Sequence, residues 1–564
     1  MTLVGRLVTV ACCLLLAPVG GAAAPASPAG AGVLAYPAAQ TIPSTGRLPQ
    51  GGAQSLALNA AIGEREGAWV VATNAQNVAV SVDGSALGPL KAQVYFGHFV
   101  SFGGRAVPDA LLPWNGASRA TERPNQPLYL QVAVPPDAQP GGYRATVTVT
   151  ADGKTTAIPV SIRVFDVHLP AASSVQGNLL TAFHVVPESY VTKVDQLYRL
   201  GSNPARSAAN AKLFAFLASY RISPAGWGFG EPRTRNGYAS SRKWWLDSSG
   251  NLVKQNPASF ATLRIPISNQ RASVRNRIAG ISPFELGPWC DYLHAVRSFW
   301  DAHGWVDGHL SYLYSLDEPG PAGMRVVGQQ ASTVHRCWAG SKMLVTGNPG
   351  LPNRFLWDGK GPDDVDIWAV LSRRYYGHYN DPHANLDVIA KARAAGKMIW
   401  SSTYTGVDGS PGYSAAEPLS DPRVFLLWNA LEGIQGTLYA QGLTSYTKGN
   451  PLDSVAANGE SVLVYPGADG PVASARLEQI RDGIEDWDVL DVVRRKRGLG
   501  GVRTILADAG LFSASPARVE LACTVGCELH GASRYSWPQW SHDAATAQKI
   551  EAAHLQALRV ASAG

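Results

Sequence analysis

The sequence is poor in charge for its length and has no strong basic or membrane-spanning segment. Charged residues make up 16% and hydrophobic residues 46% of the 564 residues, which is typical of a globular protein and not of a disordered one. The net charge of +6 is small and no run resembles a basic arm, so nucleic acid is not an expected partner. After the N-terminus no apolar run is long enough to span a bilayer, so we expect no integral membrane segment.

Several signatures of known chemistry are also absent. The chain has no G-x-S-x-G nucleophile motif, no P-loop and no G-x-G-x-x-G dinucleotide motif. It has neither a C-x-x-C pair nor an H-E-x-x-H sequence, so zinc binding is not expected. We therefore predict no metal and no other cofactor.

The N-terminus has the pattern of a secretory signal peptide. Arg6 provides a short positive region, residues 7–16 form an apolar core, and small residues follow near Ala24. We expect residues 1–24 to be the signal and the protein to be secreted or exported to the periplasm.

Four cysteines remain after the predicted signal: Cys290, Cys337, Cys523 and Cys527. In an exported protein this number indicates two disulfides. Cys523 and Cys527 are close enough in sequence to pair with each other, which leaves Cys290 for Cys337. The alternative is a set of free, buried thiols.

The rest of the chain divides into segments of different periodicity. Residues 25–45, rich in Ala, Pro and Gly, are predicted to be a linker. Residues 46–170 alternate apolar and polar positions around the tight turn Asp152-Gly153, which predicts an antiparallel β-sandwich. Pro159 lies inside the last of these runs and indicates an edge strand. Residues 471–564 are predicted to be a C-terminal helical region.

Between these regions, in residues 171–470, short apolar runs alternate with helical stretches. The candidate strands are residues 178–185, 224–229, 263–267, 310–316, 342–346, 365–370, 397–401 and 436–439, and the clearest helices are residues 288–303, 324–338, 386–395 and 422–432. Eight strands alternating with helices predict a (β/α)8 barrel.

The strongest chemical signal is the segment SYLYSLDEPG, in which an apolar strand ends in Asp317 and Glu318. Pro319 cannot continue a strand ladder, so both carboxyls fall at the C-terminal end of a barrel strand, where barrel enzymes build their sites. Like charges so close oppose joint ionisation, and a carboxyl that keeps its proton is what a glycosidase needs as general acid. The alternative is a solvated loop, or Asp317 capping the helix that follows.

Other strand ends carry aromatic and amide side chains, which suit the flat faces and hydroxyls of sugars. These candidates are Asn348, Trp368, Tyr375, Tyr376, Trp400, Tyr404 and Tyr439, with His184 near the end of the first strand. For each residue alone, barrel packing is the competing interpretation.

Three segments resemble one known family. ARLEQIRDGIEDWDVLDVVRRKRG resembles the R-x-E-x-x-R-D-G-I-E-D-[YW]-[DE] signature of DUF4091 domain proteins, which overlap the catalytic region of glycoside hydrolase family 123. NGESVLVYPG resembles a second family stretch, and the Asp-Glu of DEP resembles the family's catalytic pair. The signature residues Arg476 to Asp486 are interpreted here as ion pairs that dock a helix on the barrel.

The resemblance implies a β-N-acetylgalactosaminidase-like enzyme with a glycan or glycoconjugate substrate. Such enzymes use substrate-assisted retention, so Glu318 would be the general acid/base and Asp317 would orient the 2-acetamido group. Tyr404, Trp400 and Tyr439 would enclose that group. Two alternatives remain: a glycosidase for a sugar without an acetamido group, with a second carboxylate from Asp366, Asp408 or Glu417, and a carbohydrate-binding protein without activity.

Overall fold

The structure, a computed structural model, describes residues 32–226, 255–266, 270–271, 286–319, 321–347, 349, 365–372, 375–376, 384–403, 410–455, 459–513, 518–522 and 534–563. The predicted signal peptide lies outside these residues. So do Asn348, Tyr404, Asp408, Cys523 and Cys527 among the candidates of the sequence analysis.

The N-terminal region is β-rich, as predicted. Its strands are β1 (Gly32–Pro37), β2 (Leu56–Ile62), β3 (Arg65–Thr73), β4 (Asn77–Asp83), β5 (Lys91–Phe102), β6 (Arg105–Pro113), β7 (Arg119–Ala120), β8 (Asn125–Ala133), β9 (Gly141–Ala151) and β10 (Lys154–His168). One sheet contains β1, β3, β8, β5 and β6, and a second sheet has the order β2-β10-β9-β4-β7.

Three details of this region differ from the prediction. β1 pairs with β3, so part of the segment predicted as a linker belongs to the first sheet. β10 pairs with β2 in parallel, so the second sheet is mixed and not purely antiparallel. β10 also pairs with β9, so the edge position inferred from Pro159 is wrong. Pro159 precedes Val160, the first residue paired with β2, and its missing N–H therefore breaks no bond to that strand.

The two sheets share one apolar core. At the turn between β9 and β10, Asp152 and Gly153 have φ values of +47° and +82°, as a type I′ hairpin requires. Alternation along β9 and β10, on either side of the turn, points Val149 and Ile158 inward. There they join Val70 of the other sheet in one buried cluster.

The central region forms a nearly closed, parallel barrel sheet. Its strands are β11 (Leu180–Phe183), β12 (Thr262–Arg264), β14 (Leu310–Tyr314), β16 (Lys342–Thr346), β17 (Ile367–Leu371), β18 (Met398–Thr403) and β19 (Gly436–Tyr439). They are arranged in the order β11-β19-β18-β17-β16-β14-β12, and every pairing is parallel. This is a TIM-like barrel.

The gap between β11 and β12 is bridged by the segment around Pro224. Phe183 forms a parallel bridge with Pro224, and the Thr262 N–H donates to the Ser223 hydroxyl at 3.3 Å. Ser223 and Pro224 therefore lie between β11 and β12. This is where the second of the eight predicted strands, residues 224–229, was expected to begin.

Helices and short strands complete the described fold. The helices are α1 (Pro187–Tyr198), α2 (Asn203–Ser219), α3 (Leu286–Ala302), α4 (Pro321–Cys337), α5 (Ala384–Ala394), α6 (Asp421–Leu431), α7 (Ala475–Asp508) and α8 (Thr546–Ser562). The short strands are β13 (Gln270–Arg271), β15 (Leu316–Asp317), β20 (Ser454–Val455), β21 (Val464–Pro466), β22 (Pro471–Ala473), β23 (Arg518–Ala522) and β24 (Arg534–Pro538). β23 and β24 pair with each other, so the C-terminal region is not purely helical. No helix in the described part of the chain is long and apolar enough to cross a membrane.

Helix α7 carries the signature segment and docks through buried ion pairs. The Ser474 hydroxyl caps its start by accepting from the Leu477 N–H at 2.9 Å. Arg476, 2% exposed, pairs with Asp109 of β6 at 2.8 Å, and Gln131 of β8 donates to Glu478 at 2.9 Å. These residues do dock the helix, but the two contacts are with the β-rich region, whereas the pair of Asp486 with Arg423 reaches the barrel helix α6 as predicted. Gly498, with φ +68°, kinks the helix near its middle.

A disulfide joins α3 to α4. It links Cys290 and Cys337, with a Cα–Cα distance of 4.8 Å and a sequence separation of 47 residues. Both cysteines pack against the large core cluster that lies between the barrel and its helices. The bond closes a long loop that includes β14 and therefore Asp317 and Glu318.

Removing this crosslink should lower the stability of the barrel. For the double variant Cys290→Ala/Cys337→Ala we expect a loss of about 2–4 kcal/mol in the free energy of unfolding, because the unfolded chain regains the entropy of an open loop. Denaturant unfolding, monitored by tryptophan fluorescence, measures the change. Reduced wild-type protein is the control, since it loses the crosslink but keeps the buried sulfur atoms. Equal transition midpoints for oxidised and reduced protein would contradict the expectation.

Candidate active site

The two adjacent acids lie directly after barrel strand β14. Along this strand Tyr312 and Tyr314 turn into the barrel interior, and Leu313 turns outward to the helices. The chain then leaves the strand, and Asp317 is half-buried while Glu318 is exposed. The C-terminal ends of parallel strands lie at one end of a barrel, so both acids lie at the end where barrel enzymes bind substrate.

Asp317 is held by two hydroxyl groups. The Tyr314 hydroxyl donates to Asp317 Oδ1 at 2.6 Å, and the Thr346 hydroxyl, on neighbouring strand β16, donates to the same oxygen at 3.0 Å. Among the described residues, Oδ2 has no hydrogen-bond partner. The carboxylate is therefore fixed through one oxygen, and the other can accept a bond from a ligand.

Glu318 adopts a backbone conformation that is unusual for its residue type. Its φ of +43° lies in the left-handed region, which non-glycine residues rarely enter. The Glu318 N–H donates to the Thr346 hydroxyl at 2.7 Å, which holds this conformation. Such strain is often found at functional sites. Here it breaks the strand alternation, so that the two adjacent side chains need not point in opposite directions.

A buried arginine, Arg264, contacts Tyr314, the residue that donates to Asp317. Arg264, at the end of β12, is 5% exposed; it donates to the Tyr314 carbonyl at 3.2 Å, and its Cζ is 5.5 Å from the Tyr314 ring centroid. Burial, reinforced by the adjacent Asp317 carboxylate, raises the pKa of Tyr314 well above its usual value. Tyr314 therefore stays protonated at neutral pH and remains a hydrogen-bond donor to Asp317.

Comparison with known proteins decides the class of the site. Residues 269–493 match the family model "Glycoside hydrolase 123, catalytic domain", a span that contains Asp317, Glu318 and the first part of α7. The chain is also similar in structure to a family 123 glycoside hydrolase from Clostridium perfringens. That match has a TM-score of 0.59 and 14% identity, and it covers 94% of this chain and 97% of the other. The protein is a glycoside hydrolase similar to family 123.

Other similarities are weaker. A GH10 xylanase with a bacterial Ig-like domain, from termite gut, has 10% identity, covers 77% of this chain and 100% of its own, and has a TM-score of 0.29. An endo-β-1,4-mannanase from Thermotoga petrophila has 8% identity, covers 55% of this chain and 77% of its own, and has a TM-score of 0.32. These TM-scores are too low to inform the fold. No curated protein sequence matches the chain significantly.

The described aromatic residues among the predicted sugar contacts are buried. Trp400 points into the barrel and is fully buried, with its ring 6.0 Å from that of Tyr312. It lies against Gly436, where a Cβ atom would be only 2.5 Å from the indole. Trp400 therefore fills the barrel interior, and its contact with sugar stays a prediction.

Trp368, Tyr376 and Tyr439 face the outer layer of the barrel. Trp368 belongs to the core between sheet and helices, while its neighbours Ile367 and Ala369 belong to the barrel interior. The Tyr376 hydroxyl donates to Glu432 at 2.6 Å, after the end of α6. Both residues thus pack in the layer between the sheet and the helices, and their contact with substrate stays a prediction.

Tyr439 ends β19 with its ring on the outer face. Its hydroxyl donates to the Glu460 carbonyl at 2.7 Å, and its ring centroid is 4.8 Å from that of Tyr413. Tyr439 thus packs against the segments that contain Tyr413 and Glu460, and its role in enclosing the acetamido group stays a prediction. His184, by contrast, is exposed where β11 ends.

Of the residues proposed to supply a second carboxylate, Asp366 and Glu417 lie at opposite ends of the barrel. Asp366 immediately precedes β17 and is therefore at the opposite end of the barrel from Asp317. There it bonds to His335 Nε2 at 2.7 Å and to the Met343 N–H at 2.8 Å. Asp366 is thus excluded as a partner across the site. Glu417 lies in the segment between β18 and α6, on the same end as the acids.

Sequence reasoning missed Tyr314, Thr346 and Arg264. A signal for Tyr314 was present, because alternation along LSYLYSL places Tyr312 and Tyr314 on one face of a strand that ends in acids. Thr346 and Arg264 lie on other strands, and their contact with β14 depends on barrel register.

The hydroxyl that fixes Asp317 should contribute to activity. We expect Tyr314→Phe to lower kcat/KM for the wild-type protein's best aryl glycoside by roughly 10- to 100-fold, the value of a hydrogen bond to a charged group. Tyr312→Phe is the matched control: it removes a hydroxyl two residues earlier, also buried, that has no hydrogen-bond partner among the described residues. Equal losses in both variants would show that general packing, and not the bond to Asp317, is responsible.

Proposed function

We propose that this hydrolase is a secreted, retaining enzyme that removes N-acetylhexosamine, of the N-acetylgalactosamine type, from glycans. Glu318 is the general acid/base. Asp317 accepts a hydrogen bond from the substrate's 2-acetamido N–H and orients its oxygen for attack on the anomeric carbon. The proposal rests on one observation: of two adjacent acids at the barrel mouth, one is fixed by two hydroxyl donors and the other is exposed.

The different environments of the two acids suit these different tasks. A carboxylate that accepts two hydrogen bonds is held in one position, as an orienting group requires. Glu318 makes its described contact through the backbone N–H, and its side chain is exposed to the mouth, as a proton donor to a leaving group requires.

Two further considerations support the sugar class. The family 123 model covers the acids, and the study of the similar Clostridium perfringens enzyme concerns glycolipid glycan hydrolysis. Substrate assistance also removes the need for a separate nucleophilic carboxylate about 5 Å away, which classical retention requires. Secretion is proposed from the N-terminal sequence pattern.

Loss of the general acid should depend on the leaving group. We expect Glu318→Gln to lower kcat by about 10²–10⁴-fold on an aryl N-acetylgalactosaminide with a poor leaving group, and much less on one with a good leaving group. Steady-state kinetics on a series of aryl substrates measures this dependence. Glu188→Gln is the control, because Glu188 is an exposed glutamate in the first turn of α1, directly after β11. Undiminished activity of Glu318→Gln would remove Glu318 as the acid.

Loss of the orienting acid should depend on the acetamido group. We expect Asp317→Asn to lower kcat on the N-acetyl substrate whatever the leaving group, since it weakens formation of the cyclic intermediate. The wild-type enzyme should also react more slowly as fluorine atoms replace the hydrogens of the acetyl group, because they weaken its oxygen as a nucleophile. A panel with N-acetylglucosaminide, galactoside and arabinoside substrates completes the test. Preference for a sugar without an acetamido group would favour the alternative that uses a separate carboxylate, with Glu417 as the described candidate.

A further inference from the structure

A second cluster of ionisable residues lies where the N-terminal β-rich region meets the C-terminal helices. It contains Glu64 in the turn after β2, Glu66 of β3, Asp486 of α7 and His554 of α8. All four side chains are almost fully buried, with exposed fractions between 1% and 4%. None is near β14, so the hydrolytic site does not use them.

The two ring nitrogens of His554 have different surroundings. Nδ1 is 2.7 Å from Asp486 Oδ1. Nε2 faces three oxygens: the Asn59 carbonyl at 3.0 Å, Glu66 Oε1 at 3.5 Å and Glu64 Oε2 at 3.6 Å. A histidine that donates through one nitrogen to a carboxylate and presents the other to further ligands is the usual arrangement in metal sites.

The spacing around Nε2 fits a tetrahedral ion. Zinc bonds of about 2.0–2.1 Å to nitrogen and oxygen place two ligand atoms roughly 3.3 Å apart. The distances of 3.0, 3.5 and 3.6 Å from Nε2 to the three oxygens lie around this value. Imidazole nitrogen and carboxylate oxygen are both zinc ligands, and the Asn59 carbonyl completes the four donors.

Two carboxylates of this cluster have no arginine or lysine partner among the described ion pairs. Arg423 compensates Asp486 through bonds of 2.6 and 3.0 Å, and its remaining contacts are with Glu551 at 3.3 Å and Asp482 at 3.8 Å. Glu485 is paired with Arg221 and Arg481. Glu64 and Glu66 are thus left as two buried carboxylates without an arginine or lysine partner among the described ion pairs.

Glu66 is the clearest sign that a ligand is needed. Its Oε2 is buried and has no hydrogen-bond partner among the described residues, and its Oε1 has only the 3.5 Å contact with His554. An uncompensated buried carboxylate costs several kcal/mol, so a ligand or a proton must be present.

We propose that Glu64, Glu66, His554 and the Asn59 carbonyl bind one divalent cation, zinc by its donor set, with Asp486 orienting the histidine. The ion ties β2 and β3 to α8 and so clamps the β-rich region to the C-terminal helix. Its role is structural, because its ligands lie on elements that do not contribute to the barrel mouth. The competing occupant is a proton on Nε2, donated to the Asn59 carbonyl.

Metal content and metal-dependent stability test this proposal without any activity assay. Full-length protein purified without chelator should contain close to one zinc per chain by mass spectrometry. Treatment with a chelator should lower its melting temperature by several degrees, and added ZnCl2 should restore it. Cobalt(II) in place of zinc should give the visible absorption bands of a tetrahedral site.

A pair of isosteric variants locates the ion. Glu66→Gln should lose the bound zinc and the response to chelator. Glu551→Gln should keep both, because Glu551 contacts Arg423 at the rim and not the proposed ion. Where Glu66→Gln does not fold, the chelator and zinc series on wild-type protein decides alone. The proposal would be overturned in favour of a proton if wild-type protein contained no zinc and its melting temperature changed with neither chelator nor ZnCl2. Substoichiometric zinc that survives in Glu66→Gln would be adventitious and would overturn it equally.

Discussion

The fold depends on a helix that places charged side chains in the protein interior. Arg476 is buried, and a buried guanidinium is costly unless its donors are satisfied. Its nitrogens donate to both oxygens of Asp109 and to the carbonyls of Tyr413, Gly459 and Val462, at 2.7–3.0 Å. These partners belong to the β-rich region, to the segment before α6 and to the segment before β21. A guanidinium satisfied in this way fits a single geometry, so it fixes the β-rich region against the barrel.

Helix α7 carries further buried ion pairs on its next turns. Arg481 pairs with Glu478 at 2.6 Å and with Asp482 at 2.5 Å, and Asp486 receives Arg423 of α6. Burial opposes the charge on Asp486, but Arg423 and His554 hold the pKa of Asp486 well below its usual value. The pairs of Arg481 lie within α7 itself, whereas the pair of Asp486 with Arg423 joins α7 to α6 and forms only when the two helices are in register. Docking therefore explains the charged residues of the signature segment.

Much of this architecture could be predicted from the sequence, because strand and turn signals are local. The predicted strands at residues 342–346 and 436–439 coincide with β16 and β19, and the acids after β14 follow from a strand that ends in Pro319. The face on which each strand side chain lies could not be predicted, since one residue of shift moves a side chain from the barrel interior to the helix layer, as Ile367 and Trp368 show. The cluster around His554 could not be predicted either, because its members are far apart in the sequence and share no motif.

The position of the two acids is itself a consequence of strand register. Neighbouring residues in a strand point to opposite faces, and the left-handed φ of Glu318 removes this constraint at a cost of about 1–3 kcal/mol. Thr346 offsets part of the cost by accepting the Glu318 N–H, and its hydroxyl proton goes to Asp317. One side chain on β16 thus holds both acids, so a shift of β16 against β14 would move them together. That register is maintained by the interior packing of Tyr312 and Tyr314 against Leu344 and Trp400. The packing of the barrel interior therefore sets the positions of Asp317 and Glu318 through the register of β14 and β16.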